Sequence, residues 1–241
     1  MIGADASIKT ILTHFFLNTT HKVDNQLPYR RKSIARQKQG FFNVRSNLKL
    51  DNDWFTRNIP LWLRAFRYAS FSQKPYLNCL EIGSWQGQSA FFLLHTLPKA
   101  ELTCVDTWEG ADEHQCLGNL LNDVESDFDS NLRCFEGRYH KVKATSFAFL
   151  SQVSQSRKYD FIYIDGSHYV DDVIVDAVKC FELLEVGGIM IFDDYFWQHY
   201  KNTIDNTAGA INAFLRMKHH QLKIICFDYQ LAIVKLHESI R

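Results

Sequence analysis

No Cys-x-x-Cys pair occurs among the six cysteines of this chain, Cys79, Cys104, Cys116, Cys134, Cys180 and Cys226. That absence argues against a dithiol or thiol-metal motif. Scattered thiols inside apolar runs read as reduced structural residues of a cytoplasmic protein. An excess of charge of one sign is also missing. Lys and Arg number 27 against 27 Asp and Glu, so no whole-molecule field draws the protein to nucleic acid or to an anionic membrane. No apolar run reaches the roughly 20 residues that span a bilayer. The first twenty residues carry Asp5 and His14 and lack a cationic stretch before their short apolar segment. They are not expected to act as a signal peptide. Repeats and low-complexity tracts are missing too. A hydrophobic content of 46% with 22% charged residues fits an ordinary globular protein. A chain of 241 residues can bury one sizeable core, with or without an appendage.

What is present begins with a segment unlike the rest. Residues 22–49 hold Lys22, Arg30, Arg31, Lys32, Arg36, Lys38, Arg45 and Lys49 against Asp24 alone. Such a run is either a solvated arm or one that folds over an anionic ligand or a partner. Asn52 or Asp53 can then cap a helix carrying Trp54, Phe55, Ile59, Leu61, Trp62, Phe66 and Tyr68, which Pro60 would kink or break. Residues 1–75 are expected to form a basic arm and helical cap, and residues 76–241 the main domain.

From Tyr76 onward, strand and helix patterns alternate. Strands are expected at 77–83, 101–106, 139–144, 159–165 and 188–193. Helices are expected near 87–97, 115–130, 146–154, 169–184 and 206–218, the fourth of them ending at Gly187-Gly188. Two last strands, 223–227 and 231–235, flank Asp228-Tyr229-Gln230 and read as an antiparallel hairpin. The alternation implies an α/β fold. It would be a Rossmann-like, doubly wound, seven-stranded and mostly parallel sheet, with a terminal antiparallel hairpin and an N-terminal helical extension.

Three of the apolar runs end at carboxylates: Asp106, Asp165, and Asp193 with Asp194. The first ends in the turn Glu81-Ile82-Gly83-Ser84-Trp85-Gln86-Gly87. In an open parallel sheet, ligands bind beyond the carboxyl ends of the strands. The glycine turn brings backbone close to a ligand and opens a helix whose N–H groups are free. It is not the dinucleotide fingerprint Gly-x-Gly-x-x-Gly. Asp106 lies 23 residues after Gly83, the place for a carboxylate on ribose hydroxyls, or otherwise for a helix cap. Asp165, Asp193 and Asp194 can converge, because neighbouring strands lie about 5 Å apart. Unpaired, they would repel one another, and a hard divalent cation such as Mg²⁺ resolves that conflict. The plain alternative is that Asp193 or Asp194 caps the next turn.

The stretch Leu80-Glu81-Ile82-Gly83-Ser84-Trp85-Gln86-Gly87-Gln88-Ser89-Ala90 resembles motif I of class I S-adenosylmethionine-dependent methyltransferases. It is most similar to catechol-type, metal-dependent O-methyltransferases and to macrocin-type small-molecule methyltransferases. The resemblance covers about residues 76–236. It implies that Gly83 and Trp85, with Ser89, hold the amino-acid end of S-adenosylmethionine, flanked by Glu81, Ser84 and Gly87. It implies Asp106 on the ribose, with Trp108 close by, and Ser146 near the adenine. Many methyltransferases have a further glycine where Trp85 stands, but the catechol-type branch carries an aromatic there. Ile164-Asp165-Gly166-Ser167-His168 and Phe192-Asp193-Asp194-Tyr195 are similar to the two metal-bearing strand ends of catechol-type enzymes. The resemblance implies Asp165, Asp193 and Asp194 as metal ligands, and Asp165 also beside the cofactor. The family commonly has Asn where this chain has Asp194, and the extra charge should tighten the cation. It has Lys where this chain has His168, and His can take a hydroxyl proton near neutral pH. Asp165 and His168 are thus the expected catalytic pair.

The resulting expectation is methyl transfer to a hydroxyl of a small molecule, with S-adenosylmethionine and a divalent cation, without nucleic acid or membrane, and with a homodimer as one open assembly. A non-catalytic methyltransferase-like subunit is one alternative. An NAD-linked oxidoreductase is a weaker one, because the glycine spacing is wrong and the acidic cluster has no role in hydride transfer. Trp54, Trp62, Tyr195, Phe196, Trp197 and Tyr200 are pocket candidates, each as apt to be core. Aromatics would suit a flat phenolic or glycosidic acceptor.

Overall fold

A computed structural model of the chain describes residues 28–110, 121 and 123–238. Helices are α1 (Pro28–Arg45), α2 (Ile59–Tyr68), α3 (Gln88–Thr96), α4 (Val124–Leu132), α5 (Ser146–Gln152), α6 (Val170–Leu183) and α7 (Thr207–Met217). Strands are β1 (Leu77–Ile82), β2 (Ala100–Asp106), β3 (Tyr139–Lys143), β4 (Tyr159–Ile164), β5 (Leu184–Phe192), β6 (Leu222–Phe227) and β7 (Leu231–Lys235). They form one sheet in the order β3-β2-β1-β4-β5-β7-β6. The first five strands are parallel. The hairpin strands β6 and β7 are antiparallel, and β7 pairs with β5.

The period-2 alternation of strand side chains sorts the core into two layers. Cys79, Leu102, Cys104, Phe161, Tyr163, Ile189 and Ile191 belong to one buried cluster, shared with residues of α1, α2, α3 and α4. Leu80, Ile82, Val105, Ile162, Ile164, Met190 and Phe192 belong to the other, shared with α5, α6 and α7. This is a doubly wound sheet, as the sequence pattern implies.

The basic segment is helical from Pro28 to Arg45. Ile34 and Phe41 are buried, and Phe41 packs edge-on against Phe92 of α3. Arg31, Lys32 and Arg36 are exposed, so these charges form a solvated face. Lys22, Asp24 and the first twenty residues lie outside the described residues, as does most of the loop expected to start the helix at 115; the helix itself begins at Val124. Pro60 breaks the expected aromatic helix by standing in the first turn of α2, where its missing N–H costs nothing. A short 3-10 turn, Thr56–Asn58, precedes it, and Asp53 Oδ1 accepts from the Thr56 N–H at 3.0 Å.

One expectation needs correction. Gly187-Gly188 does not end α6, which stops at Leu183 and passes directly into β5. Between Tyr159↔Leu184 and Phe161↔Ile189, β5 takes five steps against two on β4. The glycines lie in this bulge. A Cβ on Gly188 would meet the Asp160 carbonyl at 3.0 Å, so the close approach of backbone selects glycine there.

Asp176, on the buried face of α6, gives the fold a pH dependence. Burial pushes its carboxyl up to about 7, against a hydrogen bond with Ser146 that favours the charged form. An unfolded aspartate ionises near 4. The contribution of protonated Asp176 is therefore complete below about pH 4 and is lost as pH rises toward 7, by about 1.4 kcal/mol per pH unit. Thermal melts should show a midpoint that falls from pH 5 to pH 8. Asp176→Asn, which keeps an acceptor for Ser146, should flatten that fall. An identical slope in the variant would remove Asp176 as its source.

Candidate active site

The glycine turn is built by contact between two strand ends. Gly83 has φ +83, and a Cβ there would lie 1.7 Å from the carbonyl oxygen of Asp165. The Asp165 N–H donates to the Ile82 carbonyl at 2.8 Å. The end of β1 and the end of β4 are thus pressed together at the rim. The turn is held from the far side by Asp106. Its Oδ2 accepts from the N–H of Ser84 at 2.7 Å and of Trp85 at 2.8 Å, and its Oδ1 from the Trp108 N–H at 2.7 Å. Each carboxylate oxygen can accept two bonds, so Oδ1 keeps capacity for a hydroxyl. Beneath the turn, buried Glu81 accepts from Ser84 Oγ at 2.6 Å and Ser89 Oγ at 2.7 Å. Burial raises its carboxyl to about 7, with those two bonds opposing.

The acidic cluster has an inner and an outer part. Phe161, Tyr163 and Asp165 alternate along one line of β4, and Ile189, Ile191 and Asp193 along one line of β5. Tyr163 Oη lies 2.9 Å from Asp165 Oδ2 and hydrogen-bonds Asp193 Oδ2. Gln230 Nε2, from the hairpin connector, donates to Asp193 Oδ2 at 2.8 Å. Asp193 Oδ1 accepts from the Asp194 N–H at 2.7 Å. Asp193 is therefore committed to the inner network. Asp194 has φ +52, and this left-handed reversal carries its side chain to the outer pocket. There its Oδ2 lies 2.7 Å from His168 Nε2. One ligand atom each of Asp165, His168 and Asp194 can be chosen so that all lie within 4.8 Å of one another. The three residues the structure brings together thus include His168 where the sequence suggested Asp193. Burial pushes Asp165 well above the usual carboxylate range, with Asp193 and Asp194 adding to it. Burial and then Asp194 raise Asp193 to about 6.

Both halves open into one cavity of about 870 Å³, at the upper end of small-molecule sites. Gly83, Ser84, Trp85, Ser89, Asp106, Ser146, Asp165, His168, Asp193 and Asp194 line it. Glu81, Gly87 and Trp108 stand behind the wall. Glu81 anchors the two serines, Gly87 backs onto Phe128, and the Trp108 indole donates to the Trp85 carbonyl at 2.9 Å. Of the pocket candidates, Trp54, Trp197 and Tyr200 line the cavity. Trp62 and Tyr195 are core. Phe196 packs on Tyr195 and Phe227 instead. Trp197 stacks on His168 with centroids 4.5 Å apart, which orients the imidazole. Trp85 and Asp194, both lining residues, have left-handed backbone without being glycine, and such strain gathers at functional sites.

Sequence reasoning missed Tyr163, Gln230, Tyr229 and Arg57. Tyr163 carried a signal, since it stands two residues before Asp165 on the same face. The others reach the site through hairpin and N-terminal packing that no local pattern encodes.

Residues 80–195 match the family of methyltransferase domains, and the seven-stranded sheet they help to build has the Rossmann-like methyltransferase fold. No curated protein sequence matches the chain. Among solved structures, an O-methyltransferase from Bacillus cereus in complex with SAH (S-adenosylhomocysteine) is 14% identical, with a TM-score of 0.55, over 92% of this chain and 99% of that one. MycE, a methyltransferase of the mycinamycin biosynthetic pathway solved with Mg, SAH and mycinamycin VI, is 14% identical, with a TM-score of 0.58. The match covers 85% of this chain and 53% of MycE. An SAH-bound methyltransferase from Podospora anserina is 11% identical at a TM-score of 0.53, over 85% of this chain and 88% of that one. Identities this low establish likeness of fold. Among the described residues no helix is long and apolar enough to cross a membrane.

Proposed function

We propose that this chain transfers a methyl group from S-adenosylmethionine to a hydroxyl of a small molecule, with a divalent cation at the acidic pocket. The observation that carries the reading is the contact of Gly83 with the Asp165 carbonyl. It sets the glycine turn and the first acid of the cluster side by side on one cavity, so a donor cradled by the turn lies next to an acceptor held at the acids.

Gly83, Ser84, Trp85 and Ser89 would cradle the amino-acid end of the donor. Asp106 would meet the ribose through Oδ1, and Ser146 would border the adenine. The donor set fits a hard cation, because buried carboxylates that push one another's pKa upward gain from a divalent charge between them. Asp165 and Asp194 would hold the ion, with Asp193 fixing the cluster from behind through Tyr163 and Gln230. When bound, such an ion lowers the pKa of an acceptor hydroxyl and fixes its position. His168 is then placed to take the hydroxyl proton on the ring nitrogen that does not donate to Asp194, and Trp197, stacked on the imidazole, orients it. Alignment in a closed cavity supplies much of the remaining rate. The Mg and SAH in the MycE complex support the same pairing of donor and cation.

The test is calorimetric titration with SAH, followed by acceptor-dependent SAH release across a panel of phenols. Dialysis against EDTA should lower turnover about 100-fold, with recovery on adding Mg²⁺. Turnover indifferent to EDTA overturns the role of the cation. Failure to bind SAH overturns the whole reading.

A further inference from the structure

Six carboxylates line the cavity: Asp53, Asp106, Asp165, Asp172, Asp193 and Asp194. Among the described lining residues Arg57 is the sole Lys or Arg. It stands in the 3-10 turn Thr56–Asn58, whose other two residues are buried, between buried Phe55 and Ile59. Its backbone is thus anchored while its side chain enters the cavity. The guanidinium carbon lies 4.1 Å above the centre of the Tyr229 ring. Tyr229 lines the same cavity as Asp194, its carbonyl accepts from the Tyr195 N–H at 3.1 Å, and the next residue, Gln230, donates to Asp193 at 2.8 Å. The guanidinium is therefore held on a ring whose own segment is bonded to the strand end that carries Asp193 and Asp194.

Among the described residues, no carboxylate lies within 4.0 Å of the Arg57 guanidinium. Asp53, the nearest acid in sequence, is engaged by Arg45 at 3.5 Å and by Gln88 at 2.8 Å. A planar fork of donors laid on a ring, with its edge N–H groups uncommitted, is a binder of planar anions. A single guanidinium among so many carboxylates matches a monoanion better than a phosphate dianion. From this, and resting on the methyltransferase reading above, we infer that the acceptor carries a carboxylate bound by Arg57. Tyr229 acts as the spacer between that carboxylate and the hydroxyl that is methylated. Arg57 thus selects acidic hydroxylated acceptors over neutral ones of the same shape.

The competing role for Arg57 is to offset the charge of Asp193 and Asp194 at a distance, which would affect every acceptor alike. Calorimetry on protein loaded with SAH and Mg²⁺ separates the two. The probes are 3,4-dihydroxybenzoate and 3,4-dihydroxybenzyl alcohol, which differ in the carboxylate. The wild type should bind the benzoate about tenfold or more tightly than the alcohol, with the gap narrowing in high salt. Arg57→Gln should bring the ratio close to one while SAH affinity holds, since the bonds that shape the glycine turn come from Asp106 and Glu81 and not from Arg57. Equal affinities in the wild type, binding of neither diol, or a loss in the variant shared by both overturns the assignment. In each of those cases, retained SAH binding by the wild type leaves the methyltransferase reading intact. Loss of SAH binding by the wild type strikes that reading instead.

Discussion

Gly83→Ala abolishes SAH binding and lowers the thermal midpoint sharply. The left-handed φ of +83 alone costs an alanine about 1 kcal/mol. Much more comes from position. The new Cβ would lie 1.7 Å from the Asp165 oxygen, 2.4 Å from its carbonyl carbon and 2.8 Å from the Gly166 nitrogen. All three are backbone atoms, so no side chain can swing aside. Relief requires the ends of β1 and β4 to part, which breaks the 2.8 Å bond from the Asp165 N–H to the Ile82 carbonyl. It would also move Asp165 away from Asp194. Gly87→Ala is the matched control. Its φ is +79, but its Cβ would meet only the side chains of Phe128 at 3.0 Å and Leu132 at 3.4 Å. That variant should fold, lose about 1–2 kcal/mol and keep SAH binding within a few-fold. Melts and SAH titrations on both proteins decide the matter. Wild-type affinity in Gly83→Ala would mean that the two strand ends are not pressed together as described.

The same contact shows how far a linear reading reaches. Most of the strands were legible as short apolar runs bounded by turn residues, and the order of strand and helix implied the parallel sheet. Asp106, Asp165 and Asp194 were legible as strand-end carboxylates. What the pattern could not resolve is the division of labour between Asp193 and Asp194. Period-2 alternation places Asp193 on the Tyr163 face, where Gln230 meets it, and that glutamine arrives only because β7 pairs with β5. Asp194 reaches His168 through a left-handed backbone, which aspartate tolerates better than most residues but which no local pattern in the sequence requires. The bulge at Gly187-Gly188 was hidden for a similar reason. Glycine after an apolar helical stretch signals a cap, and the tertiary approach of Asp160 that uses it instead is not a local property. Arg57 lies beyond the basic run of residues 22–49 and belongs to no motif in the sequence. Its place on Tyr229 depends on Trp62 docking its indole on Gln230 at 2.9 Å, a contact across 168 residues.

His168→Gln should lower kcat by about 10²–10⁴ while SAH affinity and the Mg²⁺ requirement stay within about twofold. The expectation follows from two roles the geometry leaves to this side chain. Its Nε2 is 2.7 Å from Asp194 Oδ2, close enough to the carboxylates to serve as a third ligand. It is also at the cavity wall, stacked on Trp197, where it can receive a proton from an acceptor. Mg²⁺ prefers oxygen donors and retains water in preference to imidazole, so the proton role is the better match. Glutamine separates the two. Its amide can still donate to Asp194 and fill the space beside Trp197, so the cluster keeps its geometry, but it cannot accept a proton. Proton transfer would then fall to water, and the loss would appear in kcat with little change in KM. A tenfold or greater rise in the Mg²⁺ needed for half-maximal rate, with the rate restored at saturating metal, would instead make His168 a ligand. Full kcat in the variant would place the base elsewhere in the cavity, with Asp194 as the next group to replace.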